Sequence, residues 1–192
     1  HEAEQLALLG SFAVQDELAT LTHHHEPDLA YSYDNKQYGP GDADALYAMV
    51  RHCKPRRVFE IGSGNSTRVV DRALARNRAD AAHYQCRHVC IEPYEMPWLE
   101  RLGPEIIRAR AEAVPLTMFD ELEAGDILFI DSSHVIRPFG DVLTEYQSII
   151  PRLAKGVIVH VHDIFTPRDY PEKWLRDERR LGNEQYLLEV MW

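Results

Sequence analysis

At 192 residues the chain is long enough to bury one hydrophobic core without disulfides or metals to staple it. Its 45% apolar and 27% charged residues are ordinary for a globular domain, and no apolar run approaches the roughly 20 residues of a membrane span. The formal charge of -10 excludes general binding to nucleic acid or to an anionic membrane, since both need a basic surface, although a local basic pocket stays open.

The first twenty residues read as a helix, with Leu6, Leu8, Leu9, Phe12, Ala13 and Leu18 near helical spacing. The chain opens on His1 rather than Met, which suggests trimming or excision there, and its start has no signal-peptide pattern. A polar loop with Pro, Gly and tyrosines follows, "THHHEPDLAYSYDNKQYGPGD". Its His23, His24 and His25 offer imidazoles to a metal, but a solvated helix end is the expected reading. Asp42 is placed as the cap of a helix over "ADALYAMVRHC", which should stop before Lys54-Pro55.

From there strands and helices alternate. Strands are expected at 56–62, 87–93, 106–111, 126–131 and 156–162, the third reading as an outer strand because it alternates with arginines. Helices are expected over "STRVVDRALARN", "EMPWLERLG", "PLTMFDELEA" and "GDVLTEYQSIIPRLA", with Pro151 near the end of the last. After the loop "DIFTPRDYP" a final helix should run over roughly 172–190. Such alternation predicts a doubly wound, mostly parallel α/β sheet with helices on both faces, and the apolar runs fit central strands buried on both sides. Three cysteines at no framework spacing (Cys53, Cys86, Cys90) fit a reducing, cytoplasmic setting. "HYQCRHVC" brings His83, Cys86, His88 and Cys90 close in sequence, but Cys90 falls inside an apolar strand, where a free cysteine serves as a small hydrophobe.

Four strand ends carry chemistry. "FEIGSGNST" puts Gly62 and Gly64 at the first strand–helix junction, where glycine permits a tight turn and a helix start favours negative charge. A dinucleotide fingerprint would need a third glycine where Thr67 stands. Glu60 is unusual in a buried strand and calls for a partner such as an ammonium group. Glu92, at the tip of the second strand in "CIEP", suits a ribose diol. "DILFIDSSH" and "GVIVHVHDIF" end on Asp131 with His134 and on His162 with Asp163, a mixture suited to cation binding and proton abstraction. His160 shares a strand face with His162 and is read as a packing residue.

This ordered series, "VFEIGSGNST", "IEP", "DILFIDSSH" and "GVIVHVHDIF", resembles the motifs of class I S-adenosylmethionine-dependent methyltransferases, over roughly residues 38–170. The strand-tip cluster is similar to metal-dependent small-molecule O-methyltransferases of the catechol and macrolide-sugar types. The resemblance implies a Rossmann-like domain over 41–192, with 1–40 forming a covering segment in which Tyr31, Tyr33 and Tyr38 close one side of the site. It implies S-adenosylmethionine held by Gly62, Ser63 and Gly64, with Glu60 near its amino group and Glu92 on its ribose. Glu112, beside Ala111, would flank the adenine, and Asp131 would adjoin the cofactor. It implies a divalent metal on Asp131, His162 and Asp163, with His134 as the base. His162 stands where those families carry an acid, which weakens Mg²⁺ and leaves room for Mn²⁺, Fe²⁺ or Zn²⁺. The acceptor expected is a small molecule bearing a hydroxyl, such as a sugar or natural product, with "DIFTPRDYP" as a lid or acceptor wall. Two other readings stay open: a cofactor-binding protein without methyl transfer, and a metal-dependent hydrolase or oxidase using the same cluster. The antiparallel hairpin that usually ends the methyltransferase sheet has no counterpart in "EQYLLEVMW", and an open sheet edge would favour a homo-oligomer.

Overall fold

The computed structural model describes residues 2–21 and 29–191, so His23, His24 and His25 lie outside the described residues. The chain divides into two compact units that interleave in sequence: His1–Arg56, Gly64–Cys86 and Pro97–Gly103 in the first, Arg57–Ser63, Arg87–Met96 and Pro104–Trp192 in the second.

The first unit is helical. It holds α1 (Glu2–Ser11), α2 (Gln15–Leu18), α3 (Pro40–Cys53), α4 (Asn65–Asp80) and α5 (Leu99–Leu102). The N-terminal helix is thus two pieces. α3 starts earlier than its acids suggest: Gly39 is the N-cap and Pro40 the first helical residue, so Asp42 lies inside the first turn rather than capping it. At its other end Lys54 adopts the left-handed conformation ahead of Pro55. Arg51 is the main polar tie, bonding Glu17 at 2.8 Å and Asp80 at 2.6 Å. Tyr31 and Tyr38 are buried, with the Tyr31 hydroxyl donating to the Tyr38 carbonyl, and the Tyr33 hydroxyl donates to Asp44. Thr67 is fully buried in α4 and accepts the Gly64 N–H, a cap that a third glycine could not make.

The second unit holds β1 (Arg57–Ile61), β2 (Arg87–Ile91), β3 (Glu105–Ile107), β4 (Ile127–Ile130) and β5 (Ile158–Val161) in one sheet, ordered β3-β2-β1-β4-β5. Every pairing is parallel. Parallel neighbours need long crossovers, and helical crossovers around such a sheet make a Rossmann-like α/β fold. Among the described residues the sheet ends at β5, with no terminal hairpin. Phe59, Ile61, Val89, Ile91, Leu128 and Ile130 form one buried face with Phe119, Leu122 and Ile149, each worth about 1.5–3 kcal/mol on full burial. The opposite alternation carries Glu60, His88, Cys90, Phe129, His160 and His162.

Helical elements of this unit are more broken than periodicity predicts. β3 stops at Ile107, where the Ala109 N–H turns back to the Ile107 carbonyl at 2.9 Å, and the Arg108 guanidinium donates to the Glu92 and Tyr94 carbonyls. The segment expected as a helix after Pro115 is a six-residue 3-10 turn, Leu116–Glu121. α6 (Asp141–Thr144) widens into a π-turn at Glu145–Ile149 and tightens into a 3-10 turn at Ile150–Arg152. Pro151 explains the change, since it offers no N–H to the Gln147 carbonyl. The last helix is two, α7 (Glu172–Arg176) and α8 (Glu184–Met191). Gly182 is a poor helix former, and the Asn183 N–H is taken by the His134 carbonyl at 2.8 Å.

Candidate functional site

In this strand order the chain reverses direction across the sheet between β1 and β4, and the crevice beyond their carboxyl ends is the natural ligand site. At the opposite end Asp126 is structural. It is buried and its carboxylate takes the Arg57 N–H at 2.8 Å and the Arg57 guanidinium at 3.0 Å.

Beyond β1, Gly62 has φ +81 and donates its N–H to Ile91. A Cβ there would lie 2.0 Å from the Asp131 carbonyl oxygen, so the two strand tips touch through backbone that only glycine permits. Ser63 follows, with a buried hydroxyl that has no partner among the described residues. Its N–H donates to one oxygen of Glu92 at 3.1 Å, while the other accepts the Tyr94 N–H at 2.8 Å. Glu92 is thereby fixed at the rim and keeps lone pairs for further donors. A cavity of about 480 Å³ lies here, lined among others by Gly62, Glu92, Ala111, Glu112, Asp131 and Ser133. Four residues assigned to a cofactor from sequence, Gly62, Glu92, Glu112 and Asp131, therefore share one cavity. Gly64 belongs to the other unit, at the start of α4. Glu60 is not among the residues lining this cavity. It is fully buried, and the partner it calls for is His88, whose Nε2 lies 2.5 Å from its carboxylate. Cys90 sits on the same face, while His83 and Cys86 belong to neither metal-capable cluster among the described residues.

The second such cluster is at the tips of β4 and β5. Asp131 Oδ1 lies 3.1 Å from His134 Nε2 and 3.2 Å from His162 Nδ1. Donor atoms of Asp131, His134 and His162 all fall within 4.8 Å of one another. Asp163 flanks them, 3.7 Å from His162 and 3.9 Å from His134. His134 thus stands among the ligand-capable atoms rather than apart from them. His134 and Asp163 both have positive φ, +57 and +55, conformations that non-glycine residues keep only where the surroundings enforce them. His160 packs on Phe129, ring centroids 5.0 Å apart.

Electrostatics follow from these contacts. Burial works to raise the Asp131 pKa, but hydrogen bonds from His134 and His162 prevail and hold it well below the usual carboxylate range. Burial likewise opposes charge on His134, and the bonds to Asp131 and Glu184 outweigh it, pushing its pKa up to about 10. His134 therefore keeps its proton at neutral pH in this arrangement. Glu184 has no sequence motif to announce it. It is fully buried, 2.8 Å from His134 Nδ1, and accepts the Tyr146 hydroxyl at 2.8 Å.

Glu145 lies behind Ser132, fully buried, with one oxygen accepting the Ser132 hydroxyl and the other without a partner among the described residues. Burial first, then the charges of Glu184 and Asp141, push its pKa up to about 8 from an ordinary 4.5. The folded chain keeps this proton where the unfolded chain has lost it. Its stabilising contribution is full below about pH 4.5 and is lost as pH rises through about 8. Glutamine imitates the neutral acid. Glu145→Gln should match the wild type near pH 4.5 and exceed its unfolding free energy at pH 8 by roughly 2–4 kcal/mol. Urea titrations at both pH values measure this, and equal differences at the two would refute it.

On the far side of His134 a smaller cavity of about 220 Å³ is lined by Ser133, His134, Asp163, Tyr170, Trp174 and Arg180 among others. Ser133 borders both cavities. No helix among the described residues is long and apolar enough to cross a membrane.

Compared with known families, residues 59–164 match the sequence model of a methyltransferase domain, more than half of the chain. Among curated proteins nothing matches.

Proposed function

Since this chain belongs to that methyltransferase-domain family, we propose that it moves the methyl group of S-adenosylmethionine to a hydroxyl of a small ring-shaped acceptor, assisted by a divalent cation. The observation that carries this reading is the double position of Asp131, which lines the 480 Å³ cavity and also bonds His134 and His162. Cofactor and proton-handling groups thus meet at one residue.

The cofactor cavity suits a nucleoside sulfonium. Its volume is in the usual ligand range, and Glu92 is held at the rim beside Gly62; Ser63 is not among the lining residues. When bound, S-adenosylmethionine supplies an electrophilic methyl group. One imidazole beside two carboxylates, in the set Asp131, His162 and Asp163, moves the preference from Mg²⁺ towards Mn²⁺, Fe²⁺ or Zn²⁺. A cation held by Asp131, His162 and Asp163 would acidify an acceptor hydroxyl and offset the carboxylate charge that keeps the proton on His134. His134 faces the smaller cavity, where it would take the acceptor's proton. Tyr170 and Trp174 offer apolar walls there, and about 220 Å³ suits a single six-membered ring, since a cavity of about 150 Å³ holds benzene. The net charge supports a small-molecule acceptor rather than nucleic acid or a membrane surface. Self-association over the outer edge of β5 belongs to the same proposal.

Calorimetric titration with S-adenosylmethionine, with and without Mn²⁺, tests the reading when paired with a methyl-transfer assay on dihydroxylated ring acceptors. Expected are saturable cofactor binding under both conditions and transfer that EDTA abolishes. No cofactor binding under either condition would overturn the proposal. Binding without transfer would favour a cofactor-binding protein without this chemistry.

A further inference from the structure

The tripeptide Asn183-Glu184-Gln185 opens α8 and holds both loops of the strand-tip cluster. Asn183 donates its N–H to the His134 carbonyl at 2.8 Å and accepts the Ile136 N–H at 2.5 Å. Gln185 accepts the Phe165 N–H at 2.8 Å and donates to the Arg168 carbonyl at 2.8 Å, which fixes the loop after β5. Its own N–H reaches the Tyr170 hydroxyl at 3.1 Å. Between them, Glu184 places one oxygen 2.8 Å from His134 Nδ1 and the other on the Tyr146 hydroxyl. Glu184 and Gln185 are almost completely buried.

A carboxylate so deeply buried is costly unless paired, and here both oxygens are engaged by groups that lead to the site. Bonding at Nδ1 leaves His134 only one way to present its other nitrogen, Nε2, which faces Asp131. The ring is held by Glu184 and its backbone by Asn183, at a φ of +57 that a histidine does not keep unsupported. We infer that Glu184 is a positioning residue: it fixes the ring orientation of His134, holding Nδ1 and leaving Nε2 turned to Asp131 and the strand-tip cluster. This rests on the reading of His134 as the group that takes the acceptor's proton.

Glu184→Gln keeps the size and the contact to Tyr146 but replaces the acceptor facing Nδ1. Its turnover number should fall about 10- to 100-fold, the range seen when the outer partner of a site histidine is removed. The KM for acceptor and the affinity for S-adenosylmethionine should stay within about threefold of wild type. Nitrogen-15 signals of the His134 ring should shift in the same variant as the hydrogen bond at Nδ1 changes, and this readout needs no activity. Glu184→Asp, with the carboxylate restored one methylene short, should recover part of both. If the wild type methylates no acceptor, the function proposed above fails, and the ring signals alone decide the role of Glu184. Should Glu184→Gln not fold, the pair His134→Ala and His134→Ala/Glu184→Gln decides: the added change should cost no further turnover and should raise stability, since it removes a buried acid that has lost its partner. Unchanged ring signals with unchanged turnover, or a further turnover loss in the double variant, would overturn the inference.

Discussion

Replacing His134 with alanine is expected to lower methyl-transfer turnover by about 10²- to 10⁴-fold, the usual contribution of one positioned acid–base group. Affinity for S-adenosylmethionine should change by less than about threefold, because His134 borders the smaller cavity and not the one that holds Gly62 and Glu92. Separate measurement of turnover and of cofactor binding by calorimetry distinguishes these. A variant that loses cofactor binding as well would count against the role given to His134. Asp131, by contrast, borders that larger cavity and carries both histidines, so changes there should disturb both quantities together.

The second large effect is expected at Gly62. Gly62→Ala puts a methyl group where the Asp131 carbonyl oxygen stands, 2.0 Å away, in a backbone conformation of φ +81. The left-handed conformation alone costs a side chain about 1–2 kcal/mol. Relief of the clash requires the tips of β1 and β4 to separate, so the total destabilisation should reach about 3–5 kcal/mol. Cofactor affinity should drop with it, because the same two tips wall the cavity. Gly64→Ala is the control: a Cβ there meets nothing within 4 Å, and its φ is extended. Its stability change should stay below about 1 kcal/mol. Chemical denaturation of both variants measures the contrast, and equal effects would show that the close approach at Gly62 is not what the fold depends on.

The sheet was readable from the chain because its strands are short apolar runs ended by glycines and acids. Val58–Ile61 and Ile127–Ile130 are buried and carry their side chains on alternate faces, which leaves little other choice. The strand tips were readable for the same reason, since a polar residue at such an end has no core to enter. Gly62, Glu92 and Asp131 came together as their order along the chain implied. What stayed hidden depends on distant contacts. Nothing local to "GNEQ" marks Glu184 as the partner of a histidine fifty residues earlier. The break in the last helix has the same origin, for Asn183 satisfies His134 and Ile136 in place of its own helix. Glu60 was legible as a buried acid needing a partner, but His88 could be named only once β1 and β2 were in register. Pro151 was visible, while its effect on Glu145 was not: the π-turn begins there and leaves that acid behind Ser132.

The tie from α8 to the two loops has a consequence for how the protein fails when warmed. α8 has eight residues, buries only Glu184 and Gln185, and leaves Val190 83% exposed. Detaching so short a helix breaks few apolar contacts, whereas melting the sheet exposes its whole interior. Opening at α8 is therefore the lower-energy event, and it releases the supports of His134 and of the loop after β5 while the five strands stay paired. Inactivation and unfolding become two transitions instead of one. Methyl transfer should fade at a temperature where the far-ultraviolet signal of the sheet is intact, and should return on cooling.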